Sequence, residues 1–310
     1  VTVVFLTRNS GPEFKKTLAA VLAQETPWNF EILVLDNEST DGTWELVQRR
    51  QSIRSIRVPR EEFRHGPVRN KAFGLAKGEI MVNLVGDAMP VGKRWLATLV
   101  APLIGRGKGT VAGVSGRQVP PKGLPVSQEF FLLKSYPEEP RVLDGVQKEF
   151  GPGKIWFSNV CSAIPRWAWE EVKFPDVIMS EDQGWATEIL RRGWKLIYEP
   201  RAAVIHGHKL NYWWLIKRNS DSGASLANIG AVVKSVGSGE MWKYLVEEIT
   251  YAAKTRGLGA VLSVFPYEAV RWIGFQIGYR KFVPRRIKKF LSIVPWWWDN
   301  NAKMSVDHRL

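Results

Sequence analysis

A single cysteine, Cys161, excludes an internal disulfide from this 310-residue chain. A reducing compartment fits a chain with no bridge to make. Acidic residues are also in short supply. Thirty Asp and Glu face 44 Lys and Arg, and the net charge of +14 points to anionic partners: phosphorylated substrates, acidic lipid surfaces or nucleic acid. No stretch of about 18 uncharged apolar residues occurs, so a spanning helix is not expected. The apolar opening at 1–6 is too short for a signal peptide before it meets Thr7, Arg8 and Asn9. Internal repeats are absent, and the only biased tract is Trp296, Trp297 and Trp298. What the chain does have is 45% hydrophobic residues, enough for one large domain or two modest ones, and 15 Trp. Tryptophan is common both at membrane interfaces and at sugar-binding surfaces.

Apolar periodicity alternates along the first ninety residues. Residues 1–6, 31–35, 53–58 and 80–85 read as short buried strands. Helices are expected to open near Pro12, at 44–49 after the Asp41-Gly42-Thr43 turn, and at 67–76. This alternation predicts an open, mostly parallel α/β sheet flanked by helices. Ligands of such sheets bind at the carboxyl ends of the strands. Three polar clusters fall there: Thr7-Arg8-Asn9, Asp36-Asn37 with Ser39 close behind, and Gly86-Asp87. Residues 111–140 are looser and rich in Gly and Pro. Further strands are expected at 155–165 and 195–205, with a helix at 181–192 between them. The composition changes near 210–235, which sets an expected division into 1–230 and a basic, aromatic helical region at 231–310.

Several side chains have the chemistry for nucleotide-sugar transfer, which needs a nucleoside pocket, a counter-charge for the diphosphate and a base for the acceptor hydroxyl. Asp87 follows a strand between the small Gly86 and Ala88, which would let a diphosphate approach the backbone. His206 and His208 follow the 195–205 strand. Their spacing keeps them from sharing a face while a strand continues, so one would reach a metal while the other packs elsewhere. A structural histidine is the plain alternative for either. Glu181 and Asp182 open a helix; they are dipole-stabilising residues or a general base, and adjacent carboxylates point apart, so at most one is the base. The run Phe63-Arg64-His65-Gly66-Pro67-Val68-Arg69-Asn70 precedes a helix and could hold phosphate or a base.

In this order, these segments resemble glycosyltransferase family 2, and more narrowly its bacterial rhamnosyltransferase-like branch. The resemblance runs over about 1–230. It rests on the opening through Thr7-Arg8-Asn9, Leu35 to Thr43, Phe63 to Asn70, Gly116-Arg117-Gln118, Phe157 to Ala163 with Ser158 and Asn159, Ser180 to Ala186 with Trp185, and Val204 to His208. It implies a GT-A fold, a nucleoside-diphosphate sugar donor and Mg²⁺ or Mn²⁺. By matching position, Thr7 and Asp36 would meet the nucleoside, with Arg8, Asn9, Asn37, Ser39, His65, Gly66, Asn70 and Gly86 around the donor. Arg69 would meet the diphosphate or base. Arg117, Gln118, Ser158, Asn159 and Trp185 would form the acceptor or sugar pocket. Asp87 would hold the metal, with His208 first and His206 in reserve. Asp182 maps onto the general base of an inverting transfer, beside Glu181. The family's metal motif often carries two acids as Asp-x-Asp; in Val85-Gly86-Asp87 the first is missing, and Gly86 stands where the branch often has Gln. The branch points to a rhamnose donor and to a glycan or polyprenyl-linked glycan acceptor in cell-surface polysaccharide synthesis.

Residues 241–298 are apolar, aromatic and basic. Within them 258–282 suits an interface-lying amphipathic helix, followed by Arg280, Lys281, Arg285, Arg286, Lys288 and Lys289. Association with an anionic membrane surface is therefore expected, with the protein cytoplasmic and peripheral on the inner face of the cell membrane. Two other readings stand beside this one: a non-catalytic sugar-binding relative, suggested by the missing first acid, and a basic nucleic-acid-binding protein, for which no motif is readable.

Overall fold

The computed structural model describes residues 1–145, 157–229 and 239–300. In chain order the elements are β1 Thr2–Thr7, α1 Gly11–Leu22, β2 Glu31–Asp36, α2 Thr43–Gln48, β3 Ile53–Arg57, α3 His65–Leu75, β4 Ile80–Leu84, β5 Met89–Pro90 and α4 Trp95–Val100. Then come β6 Val111–Val119, α5 Val126–Ser135, β7 Arg141–Leu143, β8 Cys161–Pro165, α6 Arg166–Glu171, α7 Glu181–Arg191 and β9 Lys195–Ile205. The chain ends with helices α8 Tyr212–Asn228, α9 Gly239–Arg256, α10 Leu258–Tyr279, α11 Arg285–Phe290 and α12 Pro295–Asn300.

The strands form one sheet in the order β3-β2-β1-β4-β8-β6-β9-β5, with β7 on β9. Strands β3, β2, β1 and β4 are parallel neighbours, as is the β6–β9 pair, while β8 runs antiparallel between β4 and β6. Both faces are covered, which is why these strands read as continuous apolar runs. Alternate side chains enter opposite cores. Val3, Phe5, Val34 and Leu84 pack with Phe14, Leu18, Trp95 and Leu99 of α1 and α4. Val4, Leu33, Leu35 and Met81 pack with Phe73, Trp169, Trp185 and Ile189 of α3, α6 and α7. The lone thiol of Cys161 lies inside the first of these cores, where burial pushes its pKa up to about 12.

The loose stretch at 111–140 proves to hold the nine-residue strand β6 and the helix α5. Gly116 interrupts the apolar pattern of β6 for a steric reason: a Cβ there would lie 2.2 Å from the Ala202 carbonyl oxygen and 2.6 Å from Cys161 Sγ. The register against β9 slips at this point, between Gly116 and Arg117. The strand expected at 155–165 is ordered as β8 from Cys161; residues 155 and 156 lie outside the described residues, as does the expected division at 230/231.

Helix α8 lies on the N-terminal side of that division yet packs closely on α10. Gly223 faces Phe275, and Gly274 and Gly278 face Ile216 and Ser220. A Cβ at Gly278 would sit 1.8 Å from the Ser220 carbonyl oxygen. Gly278→Val should therefore push the two helices apart and destabilise the protein by about 1–3 kcal/mol, the usual cost of overpacking. Chemical denaturation checks this; an unchanged midpoint would show that the contact is looser than described.

Candidate active site

The parallel order β2-β1-β4 sets the three polar clusters side by side at one sheet edge. Their members then part company. Asp36 is fully buried, and its carboxylate accepts from Thr7 Oγ1 at 2.9 Å, Ser39 N at 2.9 Å and Ser39 Oγ at 2.6 Å. Asn37 donates its amide to the carbonyls of Val58 and Pro59, both at 3.1 Å. These groups build the floor of the loop and are not presented to a nucleoside. The exposed layer above them is different. Arg8 and Asn9 join Glu38, Thr40, Arg57 and Arg60 around a cleft of about 450 Å³. Asn9 and Glu38 hold left-handed backbone conformations, φ 46° and 51°, and the Asn9 side chain accepts from Thr40 N at 2.8 Å. Sequence reasoning missed Arg57 and Arg60, although Arg57 ends β3 and the strand-end rule alone would have found it.

Asp87 comes next along the edge. Two residues later β5 pairs antiparallel with the end of β9, Met89 against Ile205 and Pro90 against Val204. Continuing that register sets Asp87 opposite Gly207, between the two histidines. Asp87 Oδ1 lies 3.7 Å from His206 Nε2, and Oδ2 lies 3.4 Å from His208 Nε2. Both histidines thus face the carboxylate, although their spacing would keep them apart on a continuing strand. The strand stops at Ile205, its alternation lapses, and both rings face Asp87, His206 buried and His208 exposed, 5.0 Å apart and nearly perpendicular. The three side chains offer ligand atoms all within 4.8 Å of one another. Gly207 is needed between them, since a Cβ there would meet Leu124, Leu132 and Pro121, each at 3.0 Å.

His206 is held from behind. Its Nδ1 lies 2.8 Å from Gln118 Oε1, and Gln118 Nε2 donates to Ser158 Oγ at 3.2 Å. That orientation assigns the ring proton to Nδ1 and leaves the Nε2 lone pair facing Asp87. Burial outweighs the pull of Asp87 and holds the pKa of His206 near 4, so the ring is neutral at physiological pH, the form that ligates metals. The donor set suits a divalent cation: one carboxylate and two imidazoles, with room for further oxygen ligands. At Gly86 a Cβ would lie 3.1 Å from Ser10 Oγ and 3.3 Å from the Phe14 ring, which leaves little space for a side chain.

The two adjacent carboxylates have separate surroundings. Glu181 is buried and accepts from Arg69 Nε at 2.8 Å and Asn159 Nδ2 at 3.3 Å. Burial alone would raise its pKa, but Arg69 and His65 outweigh it and hold the carboxyl below the usual range. Arg69 also donates to Asn83 Oδ1 at 2.9 Å, and Asn83 Nδ2 donates to Asn159 Oδ1 at 3.0 Å and Ser162 Oγ at 3.1 Å. Arg69 is 5% exposed, so the expectation that it meets the diphosphate fails: its guanidinium is committed to this network. Asp182 is half-buried and accepts from Asn159 N at 3.0 Å and Gln183 N at 2.8 Å. Burial, reinforced by the charge on Glu181, pushes its pKa up to about 7.

The rest of the 63–70 segment is structural too. Asn70 bridges Phe174 N and O and accepts from the Trp169 indole, and a Cβ on Gly66 would lie 2.0 Å from the Pro175 carbonyl oxygen. Burial lowers the pKa of His65, whose ring packs edge-on against Phe63. Trp185, expected in an acceptor pocket, is fully buried, donates to Val172 O at 2.9 Å and packs on Phe157 and Phe174. Arg117 donates to Tyr136 O and pairs with Glu138 at 3.0 Å. Ser158 and Asn159 are buried as well; they are the strap behind the site.

Comparison with known proteins agrees with this geometry. Residues 2–159 match the model of Glycosyl transferase family 2. The chain is 26% identical to the O-antigen chain rhamnosyltransferase RfbN of Salmonella typhimurium, over 97% of this chain and 96% of that one. It is 24% identical to the O-antigen chain rhamnosyltransferase WbaN of Salmonella anatum, over 96% of each. Among solved structures it resembles the mannosyltransferase PcManGT from Pyrobaculum calidifontis in complex with GDP-Man and Mn²⁺, with a TM-score of 0.56, 19% identity and coverage of 98% and 86%. It also resembles S. aureus TarS 1–349 in complex with UDP, with a TM-score of 0.51, 18% identity and coverage of 96% and 85%. Fold and site together define a glycosyltransferase of GT-A architecture. The chain belongs to glycosyltransferase family 2, in its rhamnosyltransferase-like branch.

If Arg69 serves the buried network and not the donor, Arg69→Met should cost about 3–5 kcal/mol of stability by leaving Glu181 charged and unpaired. Denaturation of the variant checks this. A variant as stable as wild type but weakened only in nucleotide binding would return Arg69 to the donor site.

Proposed function

We propose that this glycosyltransferase transfers rhamnose from a nucleoside-diphosphate donor to a growing cell-surface glycan of the O-antigen type, by inverting displacement with a divalent cation. The observation that carries the reading is the pairing of two groups on one strap. Asp87, His206 and His208 converge at one end of the 158–160 segment, and the raised-pKa Asp182 is anchored to its backbone at Asn159. The relatives' names supply the sugar and the acceptor class.

Asp87, His206 and His208 would hold the cation, with Gln118 fixing the His206 tautomer from behind. When bound, the ion supplies positive charge against the leaving diphosphate. Two imidazoles in the donor set favour Mn²⁺ over Mg²⁺. The arginines of the cleft, Arg8, Arg57 and Arg60, offer donors to the nucleotide's anionic and polar edges. The acceptor hydroxyl oxygen attacks the anomeric carbon, Asp182 takes its proton, and the bond to the diphosphate oxygen breaks on the opposite face. One displacement inverts the anomeric centre. With a pKa near 7, Asp182 is a base strong enough to help and is partly ionised at neutral pH.

Asp182→Asn should lower transfer by at least a hundredfold with the fold intact, and the wild-type rate should rise with pH through about 7 as Asp182 ionises. Full activity in the variant would remove Asp182 as the base. The same shift carries a stability signature. Asp182 is protonated in both folded and unfolded chains well below pH 4, so it adds nothing there. Above pH 7 it is ionised in both, and folding then bears the whole cost of burying it. Asp182→Asn should thus be more stable than wild type at pH 8 and equal to it at pH 3, read by denaturation at the two pH values.

His208→Ala should weaken Mn²⁺ binding in the presence of nucleoside diphosphate at least tenfold, by calorimetry or by the Mn²⁺ paramagnetic resonance signal. Unaltered binding would exclude His208 from the coordination shell.

A further inference from the structure

We propose that α10, α11 and the start of α8 form a face that docks on an anionic lipid bilayer, with α10 lying along the surface. The inference stands on surface chemistry and holds whatever sugar the enzyme transfers.

Helix α10 turns its apolar side outward as well as inward. Its inner face, with Val264, Tyr267, Gly274 and Gly278 buried, packs on α8 and α9. Its outer face carries Leu258, Leu262, Phe265, Ala269, Trp272 and Ile273 at spacings of three and four. Leu258 is 82% exposed and Leu262 73%. No charged side chain interrupts this stripe, and nothing among the described residues covers it. A helix exposed to water normally places charge on that side, and a continuous apolar patch marks an interaction surface. The charged residues of α10, Glu268 and Arg271, pair with each other on the inner side at 3.0 Å. No helix among the described residues is long and apolar enough to cross a membrane, so α10 lies flat.

The charge around the stripe selects the partner. Residues 269–298 contain no Asp or Glu. Arg280, Lys281, Arg285 and Arg286 are all exposed beside Phe282 and Phe290, which are 81% and 68% exposed. A second copy docked through the same patch about a two-fold axis would bring these cationic clusters together. A bilayer with acidic headgroups accepts both features at once: hydrocarbon for the stripe, anions for the arginines and lysines, and an interfacial zone for Trp272, Trp213 and Trp214.

The face also reaches the active site. Trp213, at the start of α8, packs on Phe290 of α11 with ring centroids 5.5 Å apart. Asn211 caps α8 by accepting from Trp214 N at 2.9 Å, only three residues after His208. A lipid-borne acceptor would therefore meet the Asp87–His206–His208 group close to the headgroup plane.

Sedimentation of the full chain with vesicles tests the proposal. At low salt it should sediment with phosphatidylcholine vesicles containing phosphatidylglycerol and far less with phosphatidylcholine alone. Arg285→Ser with Arg286→Ser should lower the partition coefficient roughly thirtyfold. Leu262→Glu with Phe265→Glu should lower it at least tenfold while circular dichroism stays unchanged, and Ile273→Glu serves as the second variant if that pair does not fold. The proposal is overturned if wild type stays in the supernatant with both vesicles at low salt, or if the glutamate variants sediment like wild type. It is also overturned if the chain ignores vesicles but forms a concentration-dependent dimer that Leu262→Glu dissolves.

Discussion

The ion pair between Arg69 and Glu181 is the contact on which the site depends. A buried pair is a poor source of net stability, because desolvating both ions offsets most of their attraction. Its worth here is in what it joins. Through Asn83, Asn159 and Ser162 it ties α3 and β4, within 65–84, to β8 and α7, within 161–191. It also sets the chemistry of the neighbouring residue. Arg69 keeps Glu181 ionised, and that fixed negative charge, added to burial, raises Asp182. Surroundings alone thus push the pKa values of two adjacent carboxylates apart, Glu181 down and Asp182 up.

A second constraint works on the other half of the site. Only two residues pair in β5, yet their register against β9 carries Asp87 between His206 and His208. Val85 stands where an Asp-x-Asp motif ending at Asp87 would carry its first acid, and two imidazoles, His206 and His208, face Asp87 from just beyond β9. The 158–160 strap then links both halves. Ser158 meets Gln118 behind His206, Asn159 N meets Asp182, and Val160 O accepts from Val85 N just before Asp87. Displacement of one half would be felt by the other through three residues.

Much of this was legible in the sequence, and the part that was not has identifiable causes. The strand–helix alternation of the first eighty-five residues places β1 to β4 and the starts of the helices between them to within a residue or two, because strands covered on both faces give unbroken apolar runs. Strand β6 escaped that reading because Gly116 makes way for Ala202 and Cys161, a contact between residues eighty-six apart. Asp87 and the histidines stand out by residue type, but their meeting does not, since a two-residue strand containing Pro90 has no period to detect. The 63–70 segment misleads in the opposite direction. Arg69 and Asn70 have the chemistry to bind phosphate or a base, and only tertiary structure shows them facing Glu181 and Phe174 instead. A motif fixes residue types in order; whether a polar side chain serves a ligand or the fold depends on what lies opposite it.

The excess positive charge can now be read as two separate surfaces with α8 between them. One is the cleft with Arg8, Arg57 and Arg60, suited to a compact polyanion. The other is the run from Arg280 to Lys289, suited to an extended one. Helix α8 starts just after His208 and crosses α10 at Gly223, and its buried Asp221 accepts from Ile293 N at 2.7 Å beyond α11. Burial pushes the pKa of Asp221 up to about 6, so it is ionised at neutral pH and keeps that bond charge-assisted. Docking the basic face would therefore load a helix that begins four residues after His208. On the proposed reading, donor and acceptor would arrive at different cationic surfaces, and a rigid link between the two would help to hold the attacking oxygen on the anomeric carbon's line of attack.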